Sequence, residues 1–300
     1  MHWVHVERQR GPEPLRVGGH IKVRRGRSNH EPSPAELQDL FNTFGFVLTE
    51  EQGVPGSTVH SLGDRTFYRH LRDIGIDTQA EPRPTLVQDL TNHGAIVPFD
   101  GDHRATLYGL LCFGHSPQSF RHTGNHYVQC VAYAGTSRAD EPVLVAEAKG
   151  CVDEQVRSAE TWFAALGRKE HYVGLQRLDR DVLPLPVSRE ALVNAVAHRD
   201  YAIIGSKVLF EVFADRVVVT SPGELPNHLS TEAVLAGGMT RSRNQLVAHF
   251  LVTKRLMEQR GVGFVRMAKG LREAVGTELV LEEDRAARWL RVTLPLVVSG

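Results

Sequence analysis

The sequence predicts an α+β fold in which a C-terminal mixed sheet carries helices on one face and follows a smaller α/β region. From residue 183 onward, the chain alternates patterns in the order helix, strand, strand, loop, helix, glycine loop, helix, strand, strand. Apolar residues make up 41% and charged residues 23% of the 300 residues, a normal balance for a globular chain of about two domains. We therefore expect a well-filled core rather than a disordered chain.

Composition narrows the classes of partner and the compartment. Lys plus Arg and Asp plus Glu both number 35, so only local charge can indicate a nucleic-acid partner. No stretch approaches the roughly 18 unbroken apolar residues of a membrane span, and the N-terminus lacks the apolar core of a signal peptide. The three cysteines form no CxxC pair and two lie in apolar runs. We expect buried free thiols, a cytoplasmic location and no membrane partner.

The first 45 residues combine short β-prone pieces with basic side chains. Residues 16–27 predict a hairpin around Gly18-Gly19, and a helix is expected from Pro34 to Phe41. Basic side chains on a hairpin can contact nucleic-acid phosphates, but charges on an edge hairpin also prevent unwanted strand pairing, so both interpretations stay open. The candidate DNA-contacting residues are Arg16, Lys22, Arg24, Arg25 and Arg27.

Residues 46–182 predict a middle α/β region. The segment Ala105–Phe113 is too apolar for a surface element, so we expect a buried helix or strand. The Pro-rich segment 182–187 predicts an extended link, which places the start of the C-terminal domain at residue 183. Helices are predicted at Thr66–Ile74, Pro84–His93 and Val152–Leu166, and strands at Tyr127–Ala134 and Val143–Ala148.

A polar stripe runs along the helix predicted after Ser188, which we expect to be its N-cap. Glu190, Asn194 and His198 are spaced at i, i+4 and i+8, so they share one face of an otherwise apolar helix. The stripe faces either solvent or a ligand cavity. In a cavity, an Asn carbonyl can ligate Mg²⁺, and a carboxylate one turn earlier can orient or deprotonate a water beside a terminal phosphate.

Three further segments complete the C-terminal pattern. Residues 207–219 predict a hairpin that turns at 214–215 and leads into a tight Ser-Pro-Gly loop at Gly223. A Gly-Gly pair at 237–238 precedes an arginine-rich lead into an amphipathic helix, and two more glycines precede the next helix. Arginine side chains and glycine backbones at helix starts both suit phosphate groups. The residues with this chemistry are Arg241, Arg243, Gly261 and Gly263.

Taken in order, these four segments resemble the RecG-like C-terminal ATP-binding family, a branch of the GHKL ATPases found with Schlafen AlbA-type domains. The motif ExxxN followed by AxxHRDY, the sequence DRxxxxSPGxLP and the GxG pair carry the resemblance. It implies that Asn194 ligates Mg²⁺ and that Glu190 is the base in ATP hydrolysis. The DxGxG form of the adenine-binding box is absent. The ATP-binding residues that the resemblance implies are Asn194, His198, Asp200, Asp215, Gly223, Arg241, Arg243, Asn244, Gly261 and Gly263.

The resemblance extends into the middle of the chain. Residues 107–118 resemble the family's xxGLLLFGxxPQ core, and residues 150–166 resemble its connecting helix. The N-terminal residues resemble only the end of a Schlafen AlbA-type DNA-binding domain, so the beginning of that domain is expected to be missing or degenerate. The expected regions are a partial AlbA-type region at 1–45, a connecting α/β domain at 46–182 and a GHKL-like ATP-binding domain at 183–300.

Two functional hypotheses follow. In the first, a DNA-associated transcriptional regulator binds ATP and Mg²⁺, and closure of a lid around residues 223–243 changes the surface offered to DNA or to a second subunit of a homo-oligomer. Slow ATP hydrolysis by way of Glu190 would extend this hypothesis, but helicase activity is not expected because the sequence has no P-loop. In the second, a DNA-binding or protein-interaction scaffold keeps the GHKL-like fold without nucleotide turnover.

Overall fold

The computed structural model confirms the α+β class. Eight α-helices and twelve strands lie within the residues that it describes, and the six longest strands form one mixed sheet. None of the helices in that part of the chain is long and apolar enough to cross a membrane. The described residues are 16–25, 28–32, 37, 40–41, 48–79, 84–166, 183–225, 230–238, 242–258 and 261–296. Most of the helix expected over 34–41 lies outside them.

Two short hairpins lie near the N-terminus. Strands β1 (Arg16–Val17) and β2 (His20–Ile21) pair antiparallel across Gly18-Gly19, which confirms the predicted hairpin. Both glycines have positive φ, 58° and 83°, the left-handed backbone that a two-residue hairpin turn requires. A second antiparallel pair follows, between β3 (Val23–Arg25) and β4 (Ser28–His30).

A fully buried helix lies in the middle region. The elements there are α1 (Asp64–Asp73), α2 (Leu86–Asn92), the hairpin of β5 (Ile96–Phe99) with β6 (Asp102–Ala105), and α3 (Leu107–Phe113). Every side chain of α3 is buried, so the apolar segment predicted as a helix or strand is a helix. A Cβ on Gly109 of α3 would lie 2.1 Å from the carbonyl oxygen of Ala95, so the absence of a side chain permits this close packing.

The large sheet is mixed. Its strands are β7 (Val128–Tyr133), β8 (Pro142–Ala148), β9 (Val208–Val212), β10 (Arg216–Pro222), β11 (Val280–Asp284) and β12 (Trp289–Pro295). Their order is β11-β12-β10-β9-β7-β8, and all neighbours are antiparallel except β7 and β9, which are parallel. The predicted hairpin is β9 with β10, and β10 continues to Pro222, so the Ser-Pro-Gly loop begins inside a strand.

The sheet joins residues from both sides of the expected boundary at 182–183. β7 and β8 come from the middle region, and β7 pairs with β9 of the C-terminal region, with Val128 opposite Val208. Side chains from both strands, among them Cys130 and Phe210, are buried in the same core. The boundary stays a prediction, but the two regions share one sheet.

Five helices follow β8 within the described residues. They are α4 (Val152–Leu166), α5 (Leu185–Ala197), α6 (Thr231–Ala236), α7 (Gln245–Thr253) and α8 (Gly263–Val275). The bounds of α4 are those predicted. α4 packs against β7 and β8, α5 packs against α4, β9 and β10, and α8 packs against α5. The short helix α6 lies in the segment that was expected to be a loop.

The beginning of α5 corrects the predicted N-cap. Ser188 was expected to cap the helix, but α5 begins at Leu185, after Pro184, and contains Pro186 in its first turn. Proline is tolerated there because the first helical N–H groups have no partner within the helix. Ser188 is buried, and its hydroxyl donates to the carbonyl oxygen of Leu185.

Candidate functional site

A cavity of about 670 Å³ lies between α5, α7, α8 and strands β10 and β12. Its volume falls within the range of roughly 300–1,000 Å³ that is usual for small-molecule sites. Leu246, Val252 and Phe264 contribute to apolar walls, whereas α5 contributes a polar wall. The predicted site residues that line the cavity are Glu190, Asn194, His198, Gly223, Arg243, Gly261 and Gly263.

The polar stripe of α5 faces this cavity rather than open solvent. Glu190, Asn194 and His198 all line it. The side-chain Nδ2 of Asn194 donates to Oε1 of Glu190 at 3.2 Å, which fixes the two side chains one turn apart. Because Nδ2 is engaged, the Oδ1 atom of Asn194 is the side-chain atom with the chemistry to accept a metal ion.

Glu190 lies in a partly desolvated environment. Burial raises the pKa of Glu190 above its ordinary value, whereas the charge of Arg266 and the hydrogen bond from Asn194 oppose that rise. Nη2 of Arg266 lies 3.8 Å from Oε2 of Glu190. A carboxylate whose pKa is raised by burial is a stronger proton acceptor than one in water, which is the property that a general base needs.

The glycine segment touches the Glu190–Asn194 pair. A Cβ on Gly263, the first residue of α8, would lie 2.0 Å from Oε1 of Glu190 and 3.4 Å from Nδ2 of Asn194. Only glycine fits here without displacing Glu190. The first backbone N–H groups of α8 have no partner within the helix, and the positive end of the helix dipole favours an anion. The two motifs, far apart in sequence, therefore form one corner of the cavity.

A backbone hydrogen bond connects the predicted lid to the glycine segment. The N–H of Gly238 donates to the carbonyl oxygen of Gly261 at 2.9 Å. Gly237 and Gly261 have φ of 80° and 63°, a backbone conformation that favours glycine. A Cβ on Gly237 would lie 2.6 Å from Cγ2 of Val265. The C-terminal end of α6 is therefore held against the start of α8.

His198 lines the cavity as a neutral ring. Burial lowers the pKa of His198 to about 4, and the positive charge of Arg243 contributes to the shift. Its Nδ1 lies 3.3 Å from Oγ of Ser242. At neutral pH the ring therefore offers one N–H donor and one acceptor nitrogen, rather than a positive charge.

Asp200 supports the cavity from behind instead of lining it. Its buried carboxylate has Oδ2 at 2.8 Å from Nη2 of Arg288 and at 3.2 Å from Nη1 of Arg243. The N–H of Asp200 donates to the carbonyl oxygen of Pro222, and Nη2 of Arg243 donates to the carbonyl oxygen of Glu224. Asp200 thus orients Arg243 and fixes the loop that contains the Ser-Pro-Gly sequence.

Asn244 also lies outside the cavity lining. Its buried Nδ2 donates to the carbonyl oxygens of Ala197 and Arg199, at 3.0 and 2.8 Å, so it joins the start of α7 to the end of α5. Nη2 of Arg199 in turn donates to the carbonyl oxygens of Ile203 and Ser206. These residues of the His-Arg-Asp-Tyr segment and its partner hold the cavity walls together.

One further predicted residue, Asp215, does not line the cavity. Asp215 lies in the turn between β9 and β10, where it pairs with Arg216. Gly223 and Ser221 line the cavity at the opposite end of β10, so Asp215 lies a strand length away from it. Arg241 lies outside the described residues.

Of the basic N-terminal residues, the structure describes the side chains of Arg16 and Lys22, and neither lines this cavity. Arg16 is exposed on β1. Nζ of Lys22 lies 3.1 Å from Oε1 of Glu31, an exposed ion pair. Arg24 and Arg25 lie on β3, whose backbone pairs with β4, and Arg27 lies outside the described residues.

Sequence reasoning assigned no role to two charged residues beside Glu190. Arg266 lies in the first turn of α8, and Nη1 of Arg266 lies 2.5 Å from Oε1 of Glu258. Glu258 itself lines the cavity. Arg266 follows Gly263 by one helical turn, so the helical periodicity places the two on one side of α8. That spacing could have indicated a cation near the glycine segment.

The comparisons with known proteins concern the C-terminal region and the fold. Residues 205–294 match the family described as "Putative ATP-dependent DNA helicase recG C-terminal". This match supports the RecG-like, ATPase-type interpretation of β9 to β12 with the helices between them, and the helix that contains Glu190 and Asn194 precedes it. No curated protein matches the chain.

The fold is similar to that of a solved bacterial protein. It resembles the DIP2311 protein from Corynebacterium diphtheriae with a TM-score of 0.57 and 18% sequence identity. The similarity covers 93% of this chain and 45% of that protein, so the chain spans less than half of that protein's length. At this identity the similarity concerns the fold alone.

Proposed function

We propose that this protein binds Mg²⁺-ATP in the cavity described above. The observation that carries the proposal is the contact between Asn194 and Glu190 inside the cavity, directly against Gly263. A carboxamide oxygen can ligate Mg²⁺, a carboxylate can orient a water, and a helix start without a side chain can bind a phosphate. The family match at 205–294 supports an ATPase-type site in the same region.

The residues present fit the metal ion and the phosphates. Mg²⁺ keeps several waters and takes one or two protein oxygens, so Oδ1 of Asn194 is a sufficient protein ligand. Gly263 leaves room for a phosphate beside the start of α8. Arg243 lines the cavity as well, and its positive charge, paired with Asp200, favours an anion there. The metal ion would supply neutralisation of the phosphate charge, and the apolar walls suit a nucleotide base.

Slow hydrolysis is the catalytic extension of this proposal. Glu190 lies one turn from Asn194, where it would orient a water beside the terminal phosphate and accept its proton. Replacing Glu190 with Gln keeps the size of the side chain and the acceptor for Asn194, but removes the base. We expect Glu190→Gln to bind Mg²⁺-ATP and to lose turnover in a phosphate-release assay.

Calorimetric titration with Mg²⁺-ATP tests the binding site. We expect micromolar binding by the unchanged protein and at least about tenfold weaker binding by Asn194→Ala, which equals about 1.4 kcal/mol. Asn92→Ala is the matched control, because Asn92 is exposed at the end of α2, far along the chain from the cavity residues. If folded Asn194→Ala binds as tightly as the unchanged protein, the site is assigned wrongly.

We also propose that this is a cytoplasmic, DNA-associated regulatory protein. The basic side chains near the N-terminus support that role, with Arg16 exposed on a hairpin. Phosphate contacts from such side chains give binding that weakens as salt increases. The charge reversal Arg24→Glu, Arg25→Glu and Arg27→Glu should abolish salt-sensitive DNA binding measured by fluorescence anisotropy. DNA binding that is unchanged by ATP would favour a scaffold that does not bind a nucleotide. Light scattering measures the mass of the protein in solution and would reveal a homo-oligomer.

A further inference from the structure

Arg266 bridges two carboxylates at the cavity. Nη1 of Arg266 lies 2.5 Å from Oε1 of Glu258, and Nη2 lies 3.8 Å from Oε2 of Glu190. The Arg266 and Glu258 side chains are 45% and 53% exposed, whereas the Glu190 side chain is 18% exposed. One guanidinium therefore lies near two carboxylates, the largely buried Glu190 and the exposed Glu258.

The two contacts of Arg266 differ in distance and in exposure to solvent. The short contact with Glu258 is exposed to solvent, where an ion pair contributes little stability and breaks readily. The longer contact with Glu190 leaves Nη2 outside hydrogen-bonding distance. The guanidinium is thus held beside Glu190 but is not fully engaged by it. A dianionic phosphate group is a better partner for a guanidinium than an exposed carboxylate, because it presents paired oxygens and more charge.

Charge at the cavity also disfavours a triphosphate while Arg266 stays where it is. Glu190 and Glu258 both line the cavity, and their two negative charges share one guanidinium. A triphosphate that enters beside Gly263 meets Glu190 directly, since the space at Gly263 borders Oε1 of that residue. Movement of Arg266 from Glu258 to the phosphate would offset this repulsion without moving the backbone of α8.

We propose that Arg266 binds the terminal phosphates of a nucleoside triphosphate, and that Arg266 forms an ion pair with Glu258 when no ligand is bound. This inference rests on the proposed function, because it assigns a phosphate-binding residue to the same cavity. Arg266 would therefore favour a triphosphate over a diphosphate, because it binds the last phosphate.

Substitution of the two partners tests the inference, because the expected effects have opposite signs. Arg266→Gln should weaken Mg²⁺-ATP binding by about tenfold or more, the usual effect of losing a charge-assisted hydrogen bond. Glu258→Gln should strengthen binding by about threefold, because it releases Arg266 from a weak exposed pair. A merely structural salt bridge would make both substitutions weaken binding, and that result would overturn the inference.

Matched controls lie at the C-terminal end of α8, where Arg272 is in the last turn and Glu278 follows the helix. Arg272 and Glu278 form an exposed pair at the other end of α8, with Nε 2.7 Å from Oε1. Arg272→Gln and Glu278→Gln should leave nucleotide affinity unchanged. Thermal unfolding should show that every variant is folded. If Arg266→Gln does not fold, Arg266→Lys keeps the charge without the paired donors and should still weaken Mg²⁺-ATP binding severalfold.

Calorimetry with Mg²⁺-ATP, Mg²⁺-ADP and adenosine separates this inference from the proposed function. We expect Arg266→Gln to lose most of the preference for ATP over ADP, and to bind adenosine as the unchanged protein does. If the protein without substitutions binds none of the three ligands, both the proposed function and this inference are wrong. Unchanged protein that binds ATP, together with an Arg266→Gln variant of equal affinity and equal ATP preference, would overturn this inference alone.

Discussion

The size of one residue, Gly263, controls the position of Glu190. A Cβ there would lie 2.0 Å from Oε1 of Glu190, so Gly263→Ala must push the carboxylate away from Asn194. Alanine is a better helix former than glycine, so the helix itself is not weakened. We expect Mg²⁺-ATP affinity, measured by calorimetry, to fall by about tenfold with little change in thermal stability.

Gly205→Ala is the control for that substitution. A Cβ on Gly205 meets no atom within 4 Å, and Gly205 does not have a positive φ. Its nucleotide affinity should equal that of the unchanged protein. Equal affinity in Gly263→Ala would show that the geometry of the Glu190–Asn194 pair does not matter for binding.

His70 makes the stability of the protein depend on pH. Burial lowers the pKa of His70 to about 4, and Lys254 and His249 add to the shift, whereas Asp73 opposes it. The folded state therefore favours the neutral ring. This stabilisation is complete above the unfolded pKa of about 6.5 and is lost progressively as the pH falls from there to the folded pKa of about 4, with an upper limit of about 3 kcal/mol.

Urea unfolding at pH 7, 5.5 and 4.5 measures this dependence. The His70 ring packs against both Phe113 and Phe250, which also contact each other, so His70→Leu places an apolar side chain of similar size in the same place. We expect the free energy of unfolding of His70→Leu to fall less steeply with decreasing pH than that of the unchanged protein. The exposed His60→Leu should retain the original slope. Equal slopes in all three proteins would contradict this assignment.

At the scale of elements, α7 begins under a carboxylate from a distant part of the chain. Oε1 and Oε2 of Glu50 accept hydrogen bonds from the N–H groups of Leu246 and Val247, both at 3.0 Å and up to 197 positions apart in sequence. The side chain that caps a helix start is usually a local residue, whereas here it comes from the middle region. Glu50 thus stabilises the helix that forms one wall of the cavity.

Removing this cap should weaken the fold. Glu50→Ala leaves one buried and one partly buried N–H group without their acceptor, so we expect the free energy of unfolding to fall by about 1–2 kcal/mol. The neighbouring Glu51→Ala is the control, because Glu51 is exposed. Chemical denaturation measures both. A stability loss no larger than that of Glu51→Ala would mean that water replaces the carboxylate without cost.

Local patterns predicted those elements whose causes are local. The bounds of α4 follow from the spacing of Val156, Ala159 and Phe163, and the hairpin of β9 and β10 follows from two apolar runs around a polar turn. Pro184 and Pro186 predict an extended segment, but proline is acceptable in a first turn, so α5 begins earlier than the pattern predicts.

The candidate site was predictable in part for the same reason. Glu190 and Asn194 share a helix face, so their contact follows from spacing. The carboxylate of Asp200 could bind a ligand, but it pairs instead with Arg243 and Arg288, which lie far from it in the sequence. Asp200 therefore has a structural role. The sequence contains no local signal for partners that meet only through the tertiary fold.

At the scale of the molecule, one sheet unites the two regions on either side of residue 182. A fragment of residues 183–300 would lack β7, β8 and α4, so β9 would become an exposed edge strand with an uncovered apolar face. We expect this fragment to aggregate or to remain unfolded. Circular dichroism and size-exclusion chromatography, with the full chain as control, measure the outcome. A monomeric fragment with cooperative unfolding would show that the region is an autonomous domain.

The position of β12 has a consequence for synthesis of the protein on the ribosome. β12 lies between β10 and β11 in the sheet, although it is the last of the three in sequence, and it contributes Leu290 and Val292 to the cavity. A nascent chain cannot close the sheet until residues 289–295 have left the exit tunnel. If the proposed nucleotide binds this cavity, it does so only after β12 has joined the sheet, so it cannot stabilise the earlier segments while they are being synthesised.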